Sequence, residues 1–201
     1  MARYYGPKNK LARRIGEDLG LKTNALKVAK RLKITPGMHG HKGRRKTSDF
    51  GIQLKEKQKV KYLYGIMEKQ LHKLYVAASK NPTATGTALL SLLERRLDNV
   101  VYRAGWLPTR AAARQFVNHS HVLVNGKKLN IPSYSVKVND VIIMKEKGAK
   151  LAIVSDRLKE LSAAPAWMEV KGPALKISRL PQREDILENI EEQLIVEYYS
   201  R

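Results

Sequence analysis

The sequence predicts an α+β protein: a helical domain led by an extended basic N-terminal arm, with a small α+β module of two helices and a short-stranded sheet inserted into it. Three observations carry that prediction. Apolar residues recur at three- and four-residue steps over 53–79 and again over 89–104, the period of a helix with one buried face. Alternation at two-residue steps starts only after residue 121, around Asn-Gly at 125–126 and Asn-Asp at 139–140, residues that tolerate the left-handed backbone of tight turns. Cations crowd the first third: residues 1–61 hold 18 Lys and Arg against 4 Asp and Glu, which is +14 of the chain's +21 and leaves +7 for the other 140 residues.

At 201 residues, 43% of them apolar, the chain can build one large or two small cores. A compact body carrying +21 repels itself unless a polyanion neutralises it, so nucleic acid or an anionic membrane is the expected class of partner. No run of about 18 apolar residues is present to span a bilayer. The start, Met-Ala-Arg-Tyr-Tyr-Gly-Pro-Lys, lacks the apolar core of a secretory signal. Cysteine is absent, which removes disulfides and thiolate metal sites. A cytoplasmic protein, or one made inside an organelle, is the expectation.

In the arm, residues 1–46, Arg3, Lys8, Arg13, Arg14, Arg31, Lys42, Arg44, Arg45 and Lys46 are interleaved with Gly6-Pro7 and the turn-rich stretch from Thr35 to Gly43. So many cations with so few apolar clusters predict a segment ordered against a polyanion, with short helical pieces over 10–16 and 24–32. A floppy basic tail is the plainer alternative, but Tyr4, Tyr5, Gly6, Pro7 and Pro36 give the arm local shape that a lysine tail lacks. His39 and His41, like His119 and His121, form His-x-His pairs whose rings point the same way in extended backbone. Without cysteine or a nearby carboxylate cluster they are too few for a closed tetrahedral metal site, so hydrogen bonding to phosphate or sugar, or local packing, is expected.

From Gln53 to Ser79, Val60, Leu63, Tyr64, Met67, Leu71, Leu74, Tyr75 and Ala78 make one stripe along a long helix, opposite Lys55, Lys59, Lys69 and Lys73. Gly65 within it costs about 1 kcal/mol against alanine, which predicts close approach of another element. Asn81 to Thr87 breaks the pattern and marks the main boundary. Leu89, Leu93, Leu97, Val100, Val101 and Ala104 then follow helical steps to a stop at Gly105, with Glu94 and Asp98 placed to pair with Arg95, Arg96 or Arg103.

The central stretch runs from Thr109 to Gly126. Thr109 offers its hydroxyl to the free N–H groups of a first helical turn, and the same N–H groups attract phosphate. Arg110 and Arg114, four apart, share one helix face with Gln115 beside them, while Ala113, Phe116 and Val117 take the other. Val122 and Val124 lead into the Asn125-Gly126 turn, and Lys127 and Lys128 follow it. A helix running into a tight, cationic hairpin reads as a contact for structured RNA. Beyond it, 131–138 and 141–144 read as strands, 151–161 as a short helix, 167–177 as strand-like pieces, and 183–199 as an acidic amphipathic helix that docks on the 53–79 helix. The predicted divisions are therefore 1–46, 47–86 with 179–201, and 87–178.

Specific motifs extend this reading. Arg96-Leu97-Asp98-Asn99-Val100, Gly105, Thr109 to Gln115, His119 to Gly126, Pro132-Ser133-Tyr134 and Asp140 together resemble the S-four RNA-binding module. The flanks, Ala2 to Pro7, Pro36 to Gly40, Arg44 to Gly51, Gln53 to Lys59, Tyr64-Gly65 and Glu192 to Arg201, extend the resemblance over essentially the whole chain to the bacterial-type S-four family of small-subunit ribosomal proteins. The resemblance implies a non-enzymatic, primary rRNA binder that docks early on the five-way junction of the 5′ domain. It also implies a place near the path by which mRNA enters, neighbours of the S-three and S-five families, and an influence on decoding accuracy. Some relatives bind zinc through a cysteine cluster in the arm; this chain has none, so no zinc or other cofactor is expected. Met38 stands where relatives often carry a polar residue, and Asn139 where they often carry glycine.

The expected rRNA contacts are the nine arm cations named above, His39, Lys59, Thr109, Arg110, Arg114, Gln115, His119, His121, Lys127 and Lys128. Two rival classes compete. An RNA-modifying enzyme that uses the module for targeting needs a catalytic body, and neither flank shows a nucleophile with a base. A membrane-surface protein needs a basic amphipathic helix with an exposed apolar face, and the 53–79 stripe, predicted to be buried, fits that poorly.

Overall fold

The computed structural model describes residues 4–42, 46–82, 84–159 and 164–201, apart from the side chains of Ala25 and His41. Two compact units divide the chain, one made of 1–86 with 189–201 and the other of 87–188. The α+β class holds: among the described residues the first unit's regular elements are helices, and the second carries a five-stranded antiparallel sheet.

The first unit begins with α1 (Lys8–Ile15) and α2 (Ala25–Ala29), followed by a short 3-10 turn (Gly40–Lys42). The extended arm expected here is more compact than its charge suggests: Leu11, Ala12, Ile15, Leu19 and Val28 are buried. α1 puts Leu11, Ala12 and Ile15 on one face, and three well-placed apolar residues suffice to anchor a helix whose other side is cationic. Arg13 adds to that anchoring by donating from Nε to Ile34 O (2.9 Å) and from Nη2 to Thr35 O (3.0 Å).

The single helix expected over 53–79 is two, α3 (Asp49–Leu63) and α4 (Glu68–Ala78). Ser48 caps α3 by accepting from the Gly51 N–H. The break falls at Gly65, whose φ of +62° is left-handed backbone that only glycine adopts readily. Among the described residues, its chain neighbours aside, no atom lies within 4 Å of where a Cβ would stand, so the glycine serves the turn and not the close approach its position suggested. The last helix, α10 (Glu192–Tyr199), does pack on α3, where Phe50 and Tyr198 stack with centroids 5.7 Å apart and Gln53 donates to Glu197 at 2.9 Å. It is half the length expected for the C-terminal helix. Ile186 is extended (φ −100°, ψ 104°), and buried Ile186 and Ile190 flank half-buried Glu188, so a two-residue alternation replaces the helical period there.

In the second unit α5 (Thr85–Glu94) gives way to α6 (Leu97–Arg103) and α7 (Arg110–Asn118). The run over 89–104 is thus also divided, because Arg96 is extended (ψ 135°) and acts as the N-cap of α6. Strands β1 (Val122–Val124), β2 (Lys127–Leu129) and β3 (Val141–Met144) precede two short helices, α8 (Glu146–Ala149) and α9 (Ala152–Lys159), and then β4 (Met168–Lys171) and β5 (Ala174–Ile177). The spatial order is β2-β1-β3-β5-β4. A core of Leu97, Val100, Val101, Trp106, Phe116, Val117, Val122, Val124, Ile142, Trp167, Leu175 and Ile177 lies between the helices and one sheet face.

Residues 131–138, expected as a strand, form none of the sheet. Pro132 has no N–H for a ladder, and the carbonyls of this loop serve α6 instead: Leu97 N donates to Tyr134 O (2.8 Å) and Asp98 N to Pro132 O (3.1 Å). The loop satisfies a helix N-terminus that no side chain caps. The second unit also runs ten residues past the boundary expected at 178, ending at Glu188, and the reason lies in the ion pairs described next.

Candidate RNA-binding surface

The helix and hairpin of 109–129 are built as their sequence dictates. Thr109 is extended (φ −145°, ψ 150°) and its Oγ1 accepts from the Ala112 N–H at 3.2 Å, so it caps α7. Asn125 (φ 49°) and Gly126 (φ 77°) make the two-residue left-handed turn between β1 and β2, pairing Val124 with Lys127. A clamp fixes that turn. Asp140, itself buried, accepts from Asn125 Nδ2 and from the Lys137 N–H, both at 2.8 Å, while Asn125 Oδ1 accepts from the Val141 N–H at 2.9 Å. The Tyr134 hydroxyl is pushed up by burial and by the adjacent Asp140 carboxylate. Lys127 and Lys128 therefore project, exposed, from a pinned hairpin.

The arginines of the same stretch behave differently. Arg110 and Arg114, expected to offer their guanidinium groups to phosphate, are 9% and 5% exposed. Arg110 Nε donates to Asn99 Oδ1 (2.8 Å), its Nη2 to Glu188 Oε1 (2.6 Å), and its guanidinium lies 4.5 Å from the Tyr102 ring centroid. Arg114 Nη1 approaches Asp98 Oδ2 at 3.5 Å, and Arg96 binds the same carboxylate with two donors at 3.1 and 2.8 Å. Arg103 spans Glu94 (2.6 and 3.0 Å) and Glu188 (2.5 Å). Burial alone drives the Glu188 carboxyl up, but the Arg110 and Arg103 charges outweigh it and hold it at about 2. The same pairing raises Arg103 against its burial. The four-residue spacing put both arginines on one side of α7, as expected, but that side faces the carboxylates of Asp98 in α6 and of Glu188.

The outward face of α7 is neutral and polar: Gln115, Asn118 and His119 are exposed. His121 is half-buried with its ring 4.9 Å from Phe116, and burial, then His119 and Lys145, lower its pKa, so it is neutral near pH 7. No group of three metal-ligating side chains forms among the described residues.

Several expected contacts of the first unit are exposed: Arg14, Arg31, His39, Lys42 and Lys46, with Lys8 partly so. Lys59, expected on the cationic face of α3, is 6% exposed and its Nζ meets Glu17 at 2.8 Å and Glu56 at 3.5 Å. It is a structural cation. Arg3, Arg44 and Arg45 lie outside the described residues. Sequence reasoning missed Glu188, 78 residues from Arg110 in the chain. It also missed exposed Lys147 and Lys150 at and after α8, whose only signal was their charge.

A capped helix, a clamped hairpin and a small sheet with cations outside are the build of an RNA-binding class of protein. Comparison with known families agrees. Residues 3–94 match the "Ribosomal protein S4/S9 N-terminal domain" and residues 95–142 the "S4 domain". The chain is 50% identical over 204 residues to the small ribosomal subunit protein uS4 of Parabacteroides distasonis. It is 49% identical over 207 residues to that of Delftia acidovorans and 48% over 203 to that of Brevibacillus brevis, in each case covering 100% of both chains. The chain belongs to the uS4 family. It is a structural, non-enzymatic rRNA-binding constituent of the small ribosomal subunit, located with the ribosome in the cytoplasm.

Proposed function

We propose that this uS4-family chain nucleates small-subunit assembly by docking on the helical junction of the rRNA 5′ domain. From there it touches neighbours of the S-three and S-five families, borders the path by which mRNA enters, and influences decoding accuracy. The observation that carries the reading is the pinned hairpin with Lys127 and Lys128 exposed at its tip, backed by the basic arm. A folded junction hides its bases and presents phosphate spacing and shape, which suits a rigid cationic projection. The proposed contacts are the exposed Arg14, Arg31, His39, Lys42, Lys46, Gln115, His119, Lys127 and Lys128, with Lys8 at the margin and Arg3, Arg44 and Arg45 added from the sequence.

The test pairs footprinting of small-subunit rRNA with salt-dependent binding. Protection is expected at the 5′-domain junction, with contraction when residues 1–46 are removed. Replacing Lys127 and Lys128 by Ala should lower the slope of log affinity against log salt by about 2, at unchanged stability. Replacing Arg110 and Arg114 should instead destabilise the second unit. Protection confined to another rRNA domain would defeat the proposal.

A further inference from the structure

We infer that a pocket of the first unit receives one unpaired RNA nucleotide, its base on an apolar floor and its phosphate on a cationic rim. This rests on the rRNA-binding reading and names a ligand element within it. The cavity measures about 310 Å³, at the small end of ligand sites, about 300–1,000 Å³. Its floor is Leu11 and Ile66, both buried, together with Met67, which is 41% exposed. Tyr4 and Tyr62 also line it.

The rim supplies Lys10 and Arg14 from α1 and Lys61 from α3, and none of the lining residues is acidic. Lys61 is already engaged with Glu68 at 3.3 Å. Lys10 and Arg14 form no ion pair among the described residues, and Arg14 Nη1 reaches only the Tyr62 hydroxyl, at 3.5 Å. An anion attached to a flat apolar group answers both halves of this surface. Gly65 sits in the lining without a side chain and with open space around it, so the turn between α3 and α4 leaves the pocket unobstructed. An unstacked base has its faces free to stack on tyrosine, which accepts any of the four, while its flanking phosphate meets the rim, where the Lys61 ammonium lies 5.6 Å from the Tyr62 ring centroid.

Ultraviolet cross-linking of the full-length protein to small-subunit rRNA, read by mass spectrometry, tests this directly. A nucleotide adduct is expected on Tyr4 or Tyr62. Met67→Glu, which sets an anion in the floor, should lower its yield about tenfold, the scale of one lost base stack. Val76→Glu makes the same change of charge on α4 outside the lining and should lower it less than twofold. Binding of rRNA with adducts only elsewhere, or equal losses in both variants, overturns the pocket and leaves the rRNA reading intact. Absence of any rRNA binding overturns the underlying reading instead. Quenching of tyrosine fluorescence by micromolar free UMP or AMP assigns the pocket to a free nucleotide and overturns the inference as stated. Because the adduct map needs no variant, misfolding of Met67→Glu would not shield it.

Discussion

The two units spend their cations differently. The first (1–86 and 189–201) carries 22 Lys and Arg against 8 Asp and Glu, net +14; the second (87–188) carries 17 against 10, net +7. In the second unit Arg96, Arg103, Arg110 and Arg114 all turn inward, and Glu94, Asp98 and Glu188 neutralise them. In the first, the buried cations are lysines, Lys57 and Lys59, paired with Glu68, Glu17 and Glu56, of which Glu68 and Glu17 are about half exposed. The planar guanidinium, with several donors in a fixed fork, satisfies two carboxylates at once in Arg103 and a carboxylate and an amide in Arg110, so arginine suits the closed network. Lysine reaches a carboxylate at the margin along a buried stem. Charge counted in the sequence therefore overstates the RNA-facing charge, and does so most where arginine is concentrated.

The largest expected effect lies in that closed network. Glu94 is 1% exposed and accepts from Asn99 and from both donors of Arg103. Glu94→Ala strands a buried guanidinium beside only Glu188 and should cost the second unit about 3–5 kcal/mol, read as a lowered urea midpoint. A change under 1 kcal/mol would mean that the inward arginines are no more committed than the surface lysines.

Acid tests the same network more gently. Glu188 is held at about 2 in the folded protein against 4.5 for an ordinary glutamate. A depressed folded-state value stabilises the native form above the unfolded pKa, and that contribution disappears as pH falls through the folded one. The window is therefore pH 4.5 down to about 2, and the shift corresponds to about 3 kcal/mol. Other carboxylates titrate in the same range, so the readout is the difference in unfolding free energy between wild type and Glu188→Gln. It should be largest at pH 7 and shrink as pH approaches 2.

Much of this was legible in the sequence where a local rule acts alone. The Thr109 cap, the Asn125-Gly126 turn and the left-handed Asn139 (φ 68°) follow from side-chain chemistry within a few residues. The two helical stripes were legible as stripes but not as broken helices: an apolar period of 3.6 survives a one-residue turn at Gly65, because the residues on either side still point into one core. The orientation of Arg110 and Arg114 was not legible at all. Spacing says that two side chains share a face, but the partners that decide between water and interior, Glu188 for Arg110 and Asp98 for Arg114, arrive by tertiary contacts across 78 and 16 positions. The loop at 131–138 misled for a similar reason, since its alternation is that of a strand while its Pro132 and Tyr134 carbonyls are taken by α6.

The smallest effect sharpens the comparison from the lysine side. Lys59→Met keeps the buried stem and removes the ammonium. Glu17, with a side chain 50% exposed, then simply turns to water. Glu56, 13% exposed, keeps the Glu191 N–H donor at 3.1 Å. The stability loss should stay below about 1 kcal/mol, the range of marginal ion pairs. The salt slope of rRNA binding should not move, because a lysine already covered and paired releases no counterion from phosphate. Should the slope fall by about one, Lys59 must leave Glu17 for the RNA. The first unit's buried lysines would then be a reserve drawn out on docking, whereas the second unit's arginines remain locked in their network.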